Sequence, residues 1–232
     1  MEELSGWLAA LRERIARACH AAGRAPDEVT LVAVTKTYPA DDVVRLAGLG
    51  VLDVGENRDQ EAAAKAADVA AAGAHVRWHF VGQLQRNKCR SVVRYADVVH
   101  SVDSVRLAET LGQAARRERQ ERPLGALIQV SIDDDPRRGG AVGDEFERIA
   151  ETIAKIGQPL VLRGVMAVAP IDWEPAAAFE KLQVIAARLV TGHPGAGWIS
   201  AGMSGDLEMA IGHGSTHVRV GSALLGNRPA LG

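Results

Sequence analysis

Eight short apolar runs, each followed by a helical pattern, constrain this chain more than any other feature. The runs are Leu31–Val34, Leu52–Val54, Arg77–Val81, Val98–Ser101, Ala126–Val130, Leu160–Val165, Trp198–Ser200 and Val218–Val220. Most are continuously apolar rather than alternating, the pattern of strands covered on both faces. Helical spacing fills the gaps: from Pro39 to Gly48 or Gly50, then about Gln60–Ala72, Asn87–Arg94, Ser104–Gln120, Glu145–Ile156, Pro175–Val190 and Asp206–Ile211. Strands alternating with helices imply parallel pairing through right-handed crossovers. About eight such units over roughly 200 residues suit a closed (β/α)8 barrel of TIM type better than an open doubly wound sheet. A further amphipathic helix, with Leu4, Leu8, Leu11, Ile15 and Ala18 on one face, opens the chain over about residues 3–22.

At 232 residues such a barrel accounts for the whole chain, and no low-complexity linker suggests a boundary, so one domain over residues 1–232 is expected. The balance of 27 basic against 29 acidic residues leaves a formal charge of −2, with no electrostatic footprint for nucleic acid. Cys19 and Cys89 lie far apart, which excludes a disulfide framework and cysteine-held zinc. With no signal peptide and no run of membrane-spanning length, a cytoplasmic protein is expected. Residues 133–140, Asp-Asp-Asp-Pro-Arg-Arg-Gly-Gly, read as a mobile surface loop.

Polar and glycine residues gather just after the strands: Thr35-Lys36-Thr37, Gly55-Glu56-Asn57, Gly82-Gln83-Leu84-Gln85, Ala201-Gly202-Met203-Ser204 and Gly221-Ser222. In a β/α barrel these points share one rim, where sites are built, and the last two occupy the phosphate-binding position. The pattern implies a phosphorylated ligand with a lysine in reach. Lys36 ends an apolar strand, so its stem is expected to be buried and its amine to be the more nucleophilic for it. The alternative is a lysine that snorkels into water. Arg219 lies opposite Val218 and Val220 by strand alternation; if that face points into the barrel, the guanidinium needs an acceptor: a ring nitrogen, a phosphate, or a carboxylate such as Glu208, the alternative being a structural salt bridge.

Other signals are weaker. Gly202-Met203-Ser204-Gly205-Asp206 resembles a nucleophile elbow but lacks the final glycine, and no His/Asp pair is placed for a triad. His213 and His217 have i, i+4 spacing, but Gly214 argues against one helical face, so no metal is expected.

Six blocks closely resemble the pyridoxal phosphate homeostasis proteins: Val34–Thr37, Gly55–Asn57, Trp78–Lys88, Arg163–Ala167, Gly202–Glu208 and Gly214–Gly221. The resemblance runs from about Leu31 to Asn227 and implies the barrel of the alanine racemase N-terminal domain. It implies that Lys36 forms the internal aldimine with pyridoxal 5′-phosphate (PLP), that Arg219 faces the pyridine nitrogen, and that Gly221 and Ser222 form the phosphate-binding turn. Ser200 and Ser204 would flank the other phosphate segment, Asn57 and Met166 line the ring, and His79 sit nearby on the rim. Many relatives carry lysine where this chain has Tyr38 and Arg138, and methionine or leucine at Ala201.

The implied function is to buffer PLP and deliver it to apo-enzymes, as a monomer or weak dimer. An arginine at the ring nitrogen weakens the cofactor as an electron sink. Racemisation also needs a second acid/base group, which alanine racemases take from a C-terminal domain that this chain, ending at Gly232, is expected to lack. No catalytic residue is therefore assigned. The alternatives are a PLP-dependent racemase or lyase, and a Schiff-base aldolase acting on a phosphorylated sugar.

Overall fold

The computed structural model describes residues 2–119, 122–135 and 139–226. Residues 136–138 of the expected loop, including Arg138, lie outside that set, as does Asn227. The opening helix α1 spans Glu2–Ala21. Strands and helices then alternate: β1 Thr30–Val34, α2 Ala40–Gly48, β2 Asp53–Glu56, α3 Asp59–Ala71, β3 Arg77–Phe80, α4 Cys89–Tyr95, β4 Val98–Val102 and α5 Val105–Glu118. The second half comprises β5 Leu124–Gln129, α6 Glu145–Ile156, β6 Leu160–Met166, α7 Pro175–Gly192, β7 Trp198–Ser200, α8 Leu207–Gly212, β8 His217–Val220 and α9 Ser222–Leu225.

The eight strands form a closed parallel barrel in chain order. Closure falls between β1 and β8, where Leu31 pairs with Val218 and Val32 with Arg219. Every apolar run foreseen in the sequence is a strand, although β5 begins two residues earlier, at Leu124. The helix α9 was not foreseen: four residues are fewer than any periodicity can reveal.

Most of the core lies between the strands and the helical shell. On the outer side, Phe80, Val99, Ala126, Ile128 and Val165 pack against Leu107 and Leu111 of α5, Ile149 and Ile153 of α6, and Leu182 of α7. The helix α1 lays its apolar face, Leu8, Leu11, Ile15 and Ala18, against Leu46 of α2, Leu207 and Ile211 of α8, and Leu224 of α9. Each fully buried leucine or isoleucine there contributes about 1.5–3 kcal/mol. Arg14 then clamps α1 to α8 through both carboxylate oxygens of Glu208, at 2.8 and 3.0 Å. Among the described residues, no helix is long and apolar enough to cross a membrane.

Candidate functional site

Inside the barrel the packing turns polar. Val98, Leu127 and Met166 form a small apolar cluster with Trp198, but beside it lie the buried side chains of Asp53, His79, His100, Ser200, His217 and Arg219. The carboxylate Oδ1 of Asp53 is 2.8 Å from His79 Nε2, and His79 Nδ1 is 2.8 Å from His100 Nε2. His100 Nδ1 is 2.9 Å from Ser200 Oγ, which accepts a hydrogen bond from Arg219 Nη1 at 2.7 Å. The strands β4 and β7 are not neighbours, so the His100–Ser200 contact crosses the lumen.

At the foot of this chain, Arg77 binds Asp53 through two bonds of 2.7 Å. Burial pushes the Asp53 carboxyl up, but the hydrogen bonds from His79 and Arg77 outweigh it and hold the group below the ordinary carboxylate value. Burial drives His100 well below the usual imidazole value, reinforced by the charges of His79, Arg219 and His217. The same cause, joined chiefly by His79, takes His217 down to about 3.

These shifts set a pH dependence. In the unfolded chain both imidazoles titrate near 6.5, whereas in the fold they stay neutral to much lower pH. The unfolded state therefore binds more protons as pH falls below 6.5. Stability is fully present above that value and drains away as His217 approaches its folded value of about 3. The slope reaches up to roughly 1.4 kcal/mol per pH unit for each histidine. Urea midpoints should be level from pH 7.5 to about 6.5 and fall steadily from there to pH 4.5, and a profile flat throughout would contradict this account of the lumen.

Arg219 faces inward, as the alternation with Val218 and Val220 requires, while both valines lie in the outer core. It donates to Ser200 and, at 3.0 Å, to the Ala167 carbonyl. Glu208 is not its partner, being committed to Arg14. Burial lowers the guanidinium to about 10, so it stays charged at neutral pH. Two of its five N–H bonds thus meet protein acceptors among the described residues.

Near the open end of β8, Ser222 Oγ and Ser204 Oγ lie 3.4 Å apart, and the Ala223 amide points to Ser204 Oγ at 3.4 Å. Gly202, at φ +91°, makes the turn that brings Ser204 here; a Cβ on it would meet Ala210 Cβ at 2.6 Å. Gly221 runs against the end of β1, where an added Cβ would sit 3.3 Å from the Val34 carbonyl oxygen. The phosphate-type turn of β8 and the segment carrying Lys36 are therefore adjacent.

Lys36 departs from expectation. The strand β1 stops at Val34, so Lys36 stands in the following turn and is exposed. That turn is held from below. Lys65 of α3, itself buried, donates to Glu56 Oε1 at 2.6 Å, to the Thr35 carbonyl at 2.8 Å and to Glu61 Oε1 at 3.1 Å. Thr35 Oγ1 also donates to Glu56 at 2.6 Å, and the Thr37 amide to Glu61 at 2.6 Å.

Asn57 follows β2, with its Oδ1 buried and lacking a partner among the described residues. Gly82 allows its backbone through, because a Cβ at Gly82 would lie 2.2 Å from the Asn57 carbonyl oxygen. We expect Gly82→Ala to displace the Asn57 loop and cost about 1–3 kcal/mol, read from thermal unfolding; unchanged stability would refute the close approach.

Two expected site residues move. His79 is not on the rim but deep in the lumen, 1 % exposed and bonded to Asp53 and His100. Ser200 is likewise fully buried, and its hydroxyl is engaged between His100 and Arg219. Met166 is buried beside Ser200 in register. Asp53, His100 and Lys65 were overlooked, and so was the cluster that Lys65 makes with Thr35 and Glu56. For Asp53 and His100 the one signal is a polar residue standing inside an otherwise apolar strand run, as in Leu52-Asp53-Val54 and Val98-Val99-His100.

Comparison with known proteins gives this geometry its family. The alanine racemase N-terminal domain model matches residues 7–229. A pyridoxal phosphate homeostasis protein of Mycobacterium tuberculosis is 45% identical over 97% of this chain and 93% of its own. One from Escherichia coli is 37% identical over 98% of both chains. The chain belongs to the pyridoxal phosphate homeostasis protein family. Among solved structures, PipY of Synechococcus elongatus, solved with PLP bound, superposes with a TM-score of 0.82 at 32% identity, covering 96% of this chain and all of PipY. Beyond the homeostasis proteins, an alanine racemase from Streptomyces coelicolor shares the fold, with a TM-score of 0.68 at 20% identity over 96% of this chain and 59% of the racemase.

Proposed function

We propose that this chain binds PLP at the rim where β1 and β8 meet, attached through Lys36, and that it holds and hands over the cofactor rather than turning over amino acids. The observation that carries the reading is one end of the barrel offering three kinds of donor. The Ser222 hydroxyl and the Ala223 amide each lie 3.4 Å from Ser204 Oγ, a grouping suited to a phosphate. The amine of Lys36 stands on the adjoining turn. Arg219 keeps N–H groups to spare, and Asn57 Oδ1 awaits a donor. PLP fits this donor set.

When bound, the cofactor supplies an aldehyde that condenses with an amine and a ring that accepts electrons. Lys36 provides that amine from an exposed position, where water and a receiving protein both reach it. Ser204, Ser222 and the Gly221 turn bind the phosphate. Arg219 orients the ring as a donor only, and its fixed charge disfavours a second proton nearby, which suits storage better than carbanion chemistry.

The two tyrosines support the non-catalytic half. Tyr38 donates its hydroxyl to the Gly226 carbonyl at 2.6 Å, and burial pushes the Tyr95 phenol far up. Neither is poised as a second acid/base group. Cytoplasmic apo-enzymes are the proposed receivers, served by a monomer or weak dimer.

Titration of the purified protein with PLP, followed by visible absorption and by a chiral assay with L-alanine, tests both halves. A yellow band without appreciable D-alanine is the expected result. Rapid racemisation would overturn the carrier role. A protein that stays colourless would overturn cofactor binding and favour a phosphosugar aldolase.

A further inference from the structure

The chain Asp53–His79–His100–Ser200–Arg219 has a polarity that can be worked out from its ends. An arginine can only donate, so Ser200 Oγ is the acceptor of the 2.7 Å bond from Arg219. At the other end Asp53 is a carboxylate, paired with Arg77, and can only accept, so His79 carries its proton on Nε2. With His79 taken as the neutral imidazole, its Nδ1 is an acceptor, and across the 2.8 Å contact His100 donates from Nε2. His100 then presents a bare Nδ1, and the remaining donor at 2.9 Å is the Ser200 hydroxyl. Every link therefore points the same way, from Arg219 down to Asp53.

We propose that His79 and His100 are positioning residues that lock the Ser200 hydroxyl, and through it the Arg219 guanidinium, in one orientation across the barrel. Each histidine is held in a single tautomer by the one below it. The reference point is Asp53, whose partner Arg77 lines a hollow of about 590 Å³ at the opposite end of the barrel, together with Arg12 and Asp27. Besides each other, the two rings face Asp53 from β2, Ser200 from β7 and His217 from β8, with the charge of Arg219 acting on His100 and Arg77 behind Asp53. Ser200 has a single proton to give. Committed to His100, it leaves its lone pairs to Arg219, and the unspent N–H groups of Arg219 keep a fixed direction.

The tautomers belong to the protein alone; only the effect on cofactor affinity rests on the PLP-binding reading. The first test is histidine-ring 1H–15N correlation spectroscopy on cofactor-free protein at pH 7.5, with His79 and His100 assigned by substitution. Both should carry the proton on Nε2 and a bare Nδ1. A proton on Nδ1 of either, or the averaged signal of a free imidazole, would overturn the proposal.

The second test uses two variants that preserve opposite halves of the link. In His100→Asn the side-chain oxygen takes the place of Nδ1 and can accept from Ser200. In His100→Gln the amide nitrogen takes the place of Nε2, and the Ser200 contact is lost. His100→Gln should weaken PLP binding about tenfold and move the pH midpoint of the visible band, whereas His100→Asn should restore both. Equal impairment in the two variants, or none in either, would overturn the positioning role. Failure of the unaltered protein to bind PLP would sink the cofactor reading, while the tautomer spectrum would still decide the relay.

Discussion

Replacing Lys65 with methionine is expected to destabilise the protein by about 3–5 kcal/mol, the cost of leaving a buried charge without its partner. Lys65 and Glu56 are 5% and 1% exposed at the side chain and 2.6 Å apart, so water cannot take over for the lost ammonium. Burial already raises the Glu56 carboxyl above its ordinary value, with the Lys65 and Thr35 bonds opposing that shift. Without Lys65, Glu56 must take up a proton or stay charged and unpaired, and the Thr35 carbonyl loses its donor too. The urea midpoint should fall at an unchanged m-value, and adding Glu56→Gln should recover part of the loss. A drop below about 1 kcal/mol would mean that the cluster is hydrated. The turn held by this cluster carries Lys36, so PLP affinity should fall with it.

Lys36→Ala should behave in the opposite sense, abolishing covalent attachment of PLP while leaving the fold unchanged. The residue is exposed, and surface changes of this kind usually stay within about 0.5 kcal/mol. The phosphate-type donors of Ser204, Ser222 and Ala223 do not depend on it. The variant should therefore still retain PLP weakly and reversibly, without the borohydride-sensitive yellow band. Wild-type absorption and retention in Lys36→Ala would move the attachment to another amine.

The barrel was legible because its strands are short, β-branched and continuously apolar, and because each is followed by a helix with one apolar face. Period-2 alternation set Arg219 on the face opposite Val218 and Val220, and the packing of those valines in the outer core makes that face the inner one. Height along the barrel axis was not legible, since the stagger between strands sets it and no single strand encodes that stagger. This is why His79 and Ser200, read as rim residues, lie within the lumen, and why His100 passed unnoticed in Val98-Val99-His100-Ser101. Lys65 was hidden for a different reason. A lysine in an alanine-rich helix looks like solvated surface, and only the docking of α3 over Glu56 and Thr35 makes it a buried partner. Lys36 was placed one residue layer too deep because the apolar run ends before the lysine does. The meeting of Ser204 with Ser222 follows from the order of the strands, with β7 and β8 paired as neighbours.

The central claim is that PLP is held at the β1–β8 rim by Lys36. Its most direct test is to load the unaltered protein with PLP, reduce it with borohydride, digest it and locate the modified lysine by mass spectrometry. The account predicts stoichiometric modification of the peptide containing Lys36, with the buried Lys65 untouched. Modification spread over surface lysines such as Lys88 and Lys155, or concentrated on any lysine other than Lys36, would contradict it.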